Sequence, residues 1–196
     1  MKKSLTVFMG LLMVLMIPLV SIAASPGPYV SANLGMSFLM DADFSEPGTN
    51  GTFSYDPGFA STLAAGYNFG MFRAEGEIGY QTNSGDKEYT YRANSSGDMT
   101  ALSFMANGYF DFVNSTSFTP FITAGIGIAD LDADDMGSND TVFAYQFGAG
   151  VGYAINPNFN VDLTYRYFAT EDPEFSAGKA EFASNNVYLG LRYTFN

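Results

Sequence analysis

Large apolar side chains in this chain recur with a period of two, and they do so in eight separate segments. From Val30 to Phe38 the residues Val30, Ala32, Leu34, Met36 and Phe38 are apolar, and Ser31, Asn33, Gly35 and Ser37 between them are small or polar. A period of two marks a β-strand with one greasy face. The pattern returns in segments Phe59 to Phe69, Phe72 to Gln81, Leu102 to Phe112, Ile122 to Ala129, Phe143 to Tyr153, Phe159 to Tyr167 and Asn186 to Phe195. Thr141 to Val161 carries no charge over 21 residues and has the length of a membrane helix. Its alternation, its glycines at 148, 150 and 152 and its Asn156-Pro157-Asn158 turn point instead to two strands and a tight turn.

The two faces reveal their solvents. A soluble sheet exposes Lys and Glu and buries a mixed apolar face. Here the polar face is mostly Gly, Ala, Ser, Thr and Asn, which suits a crowded concave interior, and the other face is large and aromatic on every strand, which suits lipid. A strand of ~10 residues at ~3.3 Å rise, tilted by roughly 45°, spans about 23 Å, the height of an outer-membrane apolar band. No open edge is tolerable in hydrocarbon, so the eight strands have to close. Short links (68–71, 113–117, 156–158) alternate with long ones (41–58, 83–98, 130–140, 171–185). Turns on one side and loops on the other are the layout of an eight-stranded antiparallel up-and-down transmembrane β-barrel. With no Trp in the chain, interfacial girdles fall to residues such as Tyr67, Tyr80, Tyr153, Tyr165, Tyr167 and Tyr193.

The charges divide accordingly. Of 20 acidic residues, all but Glu75, Glu77, Asp111 and Asp162 fall in the long links or at their edges. Those four face inward with Arg73, Arg166 and Arg192, and the seven together read as an ion-pair network filling a lumen just wide enough for side chains. Tyr109, Tyr188, Phe121, Phe168 and Met105 point inward with them. A lining for a narrow small-solute channel is the alternative use of the same residues. Asp130, Asp132, Asp134 and Asp135 are the acidic-loop candidates for a loose divalent-cation site; Asp135 and Thr141 stand where an EF-hand needs Gly and Glu, so that motif is excluded. Gly148, Gly150 and Gly152 lack the basic residue and helix of a phosphate loop.

At the N-terminus, Lys2 and Lys3 precede an uncharged run from Leu5 to Val20 and small residues at Ser21, Ala23 and Ala24. This is the layout of a secretory signal peptide over residues 1–24, followed by a barrel domain over 25–196. Cleavage leaves six basic and 20 acidic residues, a net charge of −14 in place of −12. Such a charge repels nucleic acid. The absence of His and Cys removes imidazole catalysis, thiolate metal sites and a lipidated cysteine, so neither an enzyme nor a cofactor is expected.

The runs Phe72 to Tyr80 (FRAEGEIGY), Ala106 to Asp111 (ANGYFD), Pro120 to Gly127 (PFITAGIG) and Tyr145 to Tyr153 (YQFGAGVGY) resemble the eight-stranded outer-membrane barrels of the opacity-protein, outer-membrane-protein-A-like and rickettsial surface-antigen group. The resemblance implies a monomer in the outer membrane of a Gram-negative bacterium, surrounded by lipid and lipopolysaccharide. It also implies a structural, adhesive or surface-antigen role, with a host or surface ligand met through the loops. Chains of that group commonly end on an aromatic residue read by the barrel-assembly machinery. Here Asn196 follows Phe195, and the alternating Leu189, Leu191, Tyr193 and Phe195 keep most of that signal.

Overall fold

The computed structural model describes residues 26–40, 42–46, 49–53, 56–84, 98–133, 140–171 and 182–195. Their strands are β1 (Gly27–Leu39), β2 (Ala42–Glu46), β3 (Thr49–Phe53), β4 (Gly58–Asn68), β5 (Phe72–Ser84), β6 (Asp98–Asp111), β7 (Phe118–Ala133), β8 (Asp140–Ala154), β9 (Phe159–Thr170) and β10 (Ala183–Thr194). Eight of them close an antiparallel barrel in the order β1, β10, β9, β8, β7, β6, β5, β4, and β1 pairs with β4 to shut the ring. Residues 1–25, including the proposed signal peptide, lie outside the described residues.

The alternation sets which way each side chain faces. Leu34, Leu63, Ile126 and Leu189 each stand about 60% exposed on the outer wall, and so do their counterparts on the other strands to a lesser degree. Met105, Tyr109, Phe121, Phe168 and Tyr188 are buried inside. A wall that exposes Leu, Ile and Phe around its circumference is stable only against lipid.

The strands run further at the loop end than the apolar pattern marks. On the outer face of β5 to β8 the greasy residues give way to Thr82, Thr100, Asp130, Asp132 and Thr141, yet Thr82 still pairs with Thr100, Thr100 with Asp132 and Asp130 with Thr141. Backbone pairing needs no apolar face once the strand has left the hydrocarbon. Asp130 and Asp132 are therefore strand residues, in a stretch the sequence reads as a loop. The first long link likewise contains a hairpin, β2 with β3, that no alternation of large residues announces.

Inside, small residues make room for large ones on neighbouring strands. Tyr29 on β1 lies opposite Gly66 on β4, and Gly66 lies opposite Glu75 on β5. A Cβ at residue 66 would stand 2.7 Å from the Glu75 Cβ and 2.9 Å from the Tyr29 ring. The missing side chain lets Tyr29 reach across a whole strand. At the loop end one side of the lumen is apolar, where Ala101, Met105, Ala129, Leu131, Ala144, Phe168 and Phe182 form a buried cluster, and the other is polar, with Ser37, Gln81, Asn83 and Ser184 buried. Phe168 and Phe182 meet edge to face at 6.2 Å.

Substitution of glycine separates the two faces. Gly66→Val is expected to destabilise the barrel by about 1–3 kcal/mol through overpacking, read as a lower urea midpoint for protein refolded in phospholipid vesicles. Gly76, on the outer face with nothing within 4 Å of an added Cβ, should accept Ala with little change.

Candidate functional site in the barrel lumen

The lumen between the turn end and the apolar cluster holds all seven of the charged residues singled out from the sequence, each buried. Two pairs form between adjacent strands. Arg73 on β5 donates from Nε and Nη2 to Asp111 on β6 at 2.8 and 2.9 Å. Arg192 on β10 donates in the same forked way to Asp162 on β9 at 2.9 and 3.1 Å. Forked guanidinium to carboxylate contacts are the strong, orienting form of this interaction. Both sit near the turn end, and both guanidiniums lie over rings: Arg73 is 4.1 Å from the Tyr109 centroid and Arg192 is 5.8 Å from that of Tyr29.

The third pair crosses the barrel. Arg166 on β9 donates from Nη1 to both oxygens of Glu77 on β5 at 2.8 and 2.9 Å, with 4% and 1% of the two side chains exposed. These strands lie on opposite sides of the ring. Gln146 on β8 adds a bond to Glu77 at 3.1 Å and another to the Asn107 carbonyl oxygen on β6 at 2.6 Å. Four strands are thus tied across the interior.

Glu75 departs from the expectation of an ion pair. Its carboxylate accepts hydroxyl donors from Tyr29 at 2.7 Å and Tyr109 at 2.6 Å, and the Asn107 amide at 3.1 Å. The reason is register. Asn107 lies directly opposite Glu75, Tyr109 lies opposite Arg73, and Asp111 one inward step further takes the guanidinium. A carboxylate with three donors is satisfied without a cation.

Among the described residues, a cavity lined by Glu77, Gln81, Ser103, Arg166, Phe168 and Tyr188 among others has room for about one water molecule. The Arg166 Nε is buried beside it with no protein partner. Of the acidic-loop candidates, Asp130 and Asp132 are on β7, and Asp134 and Asp135 lie outside the described residues. Among the described residues no three His, Cys, Asp or Glu side chains gather to hold a metal.

The sequence reading does not name Tyr29, Gln146, Asn107 or Phe182 as parts of this interior. Gln146 and Asn107 stand at inward positions of recognised strands, where the alternation already marks them. Tyr29 precedes the first alternating residue, and Phe182 falls inside the fourth long link, so no period reaches either.

The profile of the outer membrane protein beta-barrel domain family matches residues 9–195. The chain belongs to that family and is an outer-membrane protein. It is 34% identical over 116 residues to Outer membrane protein PagN of Salmonella typhimurium, a match covering 47% of this chain and about half, 48%, of that relative. It is 26% identical over 183 residues to a Rickettsia conorii protein named "Putative adhesin RC1281", covering 78% of this chain and 74% of that one. Among solved structures, Neisserial surface protein A superposes with a TM-score of 0.62 at 24% identity, over 86% of this chain and 97% of that one, and shares the fold.

Removing one partner of the cross-lumen pair strands a buried charge. Arg166→Met should cost about 3–5 kcal/mol, and the double variant Glu77→Gln/Arg166→Met should recover much of that loss. Urea unfolding of the vesicle-inserted protein, compared across wild type and both variants, checks it.

Proposed function

For a member of this family whose interior is filled, we propose a surface role carried by the exterior loops: a non-enzymatic barrel that presents four acidic loops in a structural, adhesive or antigenic capacity. The observation that carries the reading is the occluded lumen. Among the described residues, three arginine to carboxylate pairs cross or line it, and an apolar cluster stands with the buried Ser37, Gln81, Asn83 and Ser184 toward its loop end. An interior filled in this way disfavours the passage of solutes, and recognition then falls to the loops, where binding residues concentrate on rigid scaffolds. The described exposed acids Asp56, Asp132 and Glu171 are all at the loop end. A cationic surface is the kind of ligand that acidic loops favour. The name carried by the Rickettsia conorii relative supports the adhesive version. A leader over residues 1–24, removed on export, belongs to the same proposal.

Purified protein in planar lipid bilayers is expected to give no stable discrete openings in most insertions; regular openings would contradict the filled lumen and favour a channel. Non-adherent cells displaying the protein should bind cultured cell monolayers above the vector control. Replacing residues 85–97 and 172–181 with Gly-Ser linkers should return binding to that control without loss of the heat-sensitive gel mobility of a folded barrel.

A further inference from the structure

At the loop end, the lumen has two sides of different chemistry at one height. Gln81 pairs with Ala101 and Ala101 with Leu131, so the polar and the apolar side share a row of the barrel. Leu131, Met105 and Phe168 fill the apolar side with no polar atom to satisfy. On the other side Ser37, Asn83, Ser184 and Asn186 are 0–1% exposed, with Gln81 buried beside them. Amides and hydroxyls taken out of water at that depth are costly unless each is bonded.

The polar group lies on the seam where the ring closes. Ser37 on β1 is directly opposite Asn186 on β10 and, on its other flank, opposite Gly58 on β4. Asn83 on β5 reaches past Gly58 and donates from Nδ2 to the carbonyl oxygens of Ser37 at 3.0 Å and Asp56 at 3.2 Å. Asn186 donates from Nδ2 to Ser184 Oγ at 3.1 Å and to Gln81 Oε1 at 3.5 Å, and Gln81 Nε2 donates to Ser184 Oγ at 3.4 Å. Strands β10, β1 and β5 thus meet in one bonded group.

What the group lacks is donors. The Nδ2 of each asparagine is spent on oxygens of the protein, which fixes both amides. Asn83 Oδ1, Asn186 Oδ1 and Ser37 Oγ are then left buried with no partner. Two of these atoms can only accept, and the hydroxyl has two lone pairs to offer beside them. Their occupant has to bring positive charge or hydrogens. No described Lys or Arg supplies it: the described basic residues are Arg73, Arg166 and Arg192, each already held by a carboxylate.

The chemistry of the set selects the occupant. Its atoms are hard, neutral oxygens, and the Ser37 and Asp56 carbonyls each keep a second lone pair. Amide and carbonyl oxygens standing in for water are how proteins hold small hard cations. Calcium sites add carboxylates, and magnesium keeps several of its waters. Here none of the five side chains is a carboxylate, and the group is closed to solvent, which suits a single charge. Asp56, Asp130, Asp132 and Glu171 at the loop end set a negative field that draws cations toward it.

We propose that Ser37 Oγ, Asn83 Oδ1 and Asn186 Oδ1 form a binding site for a monovalent metal cation, which ties β1 to β10 and β5 at the seam of the barrel. An ion that binds the closed ring and not the unfolded chain stabilises the ring by mass action.

The test uses the protein refolded in zwitterionic phospholipid vesicles, with folding checked by heat-sensitive gel mobility. Urea unfolding rates are compared in lithium, sodium, potassium and N-methylglucamine chloride at one ionic strength; the organic cation is too large for the site. Unfolding should be several-fold slower in at least one alkali metal than in N-methylglucamine, and the effect should saturate with metal concentration. Asn83→Leu and Asn186→Leu, which fill the space without acceptors, should unfold at one rate in all four salts. Asn160→Ala, buried at the turn end, should keep the wild-type dependence. Ser37→Ala adds no bulk and decides where a leucine variant does not fold: its half-saturation should move to several-fold higher metal concentration. Equal wild-type rates in all four salts would overturn the proposal and leave water as the donor to these oxygens. A dependence that survives unchanged in the folded variants at 37, 83 and 186 would overturn it too, and assign the ion to the acidic loops.

Discussion

Hydrocarbon offers a backbone amide no hydrogen-bond partner, and nearly everything in this structure follows from meeting that condition. A ring of eight strands satisfies its amides by lateral pairing and leaves no edge, provided that the last strand finds the first, as β10 and β4 both find β1. Once the ring is closed, the two faces of each strand meet opposite solvents. The greasy residues then have to be outside, which reverses the arrangement of a water-soluble protein.

The inward face carries the consequence. A lumen bounded by eight strands is too narrow for water-filled space and too polar to be an oil-like core, so its side chains must fill volume and satisfy one another at once. Glycine provides the volume: Gly66 admits Tyr29 to Glu75, and Gly150 faces Phe121. Arginine provides the bonding, with forked contacts to Asp111 and Asp162 and the span from Arg166 to Glu77. Each pair is costly to bury and costlier to break. The interior is thereby committed to one arrangement, and the loops are left as the part free to vary.

The fold was legible because facing is a local property: Leu34, Met36 and Phe38 against Gly35 and Ser37 state it within a few residues, and eight repetitions state the ring. Inwardness of Arg73, Glu77 and Arg166 was legible for the same reason. Who meets whom was not. Arg166 and Glu77 are 89 residues apart and face each other because of how far the strands are staggered around the ring, which alternation does not encode. Glu75 shows the same gap, since its place opposite Asn107 and beside Tyr29 gives it hydroxyl and amide donors in place of a cation. Phe182 and Leu131 were hidden for another reason. They sit where the wall has left the membrane, and no outward greasy partner keeps the period audible.

The account depends most on the assignment of faces, and the absence of Cys permits a direct measurement. Single cysteines placed in turn along residues 73–80 of β5, spin-labelled and inserted in vesicles, report collision with oxygen dissolved in lipid. Accessibility should alternate with a period of two, high at 74, 76, 78 and 80 and low at 73, 75, 77 and 79. An alternation of opposite phase, or none, would contradict a barrel with its greasy face in lipid and its charges inside.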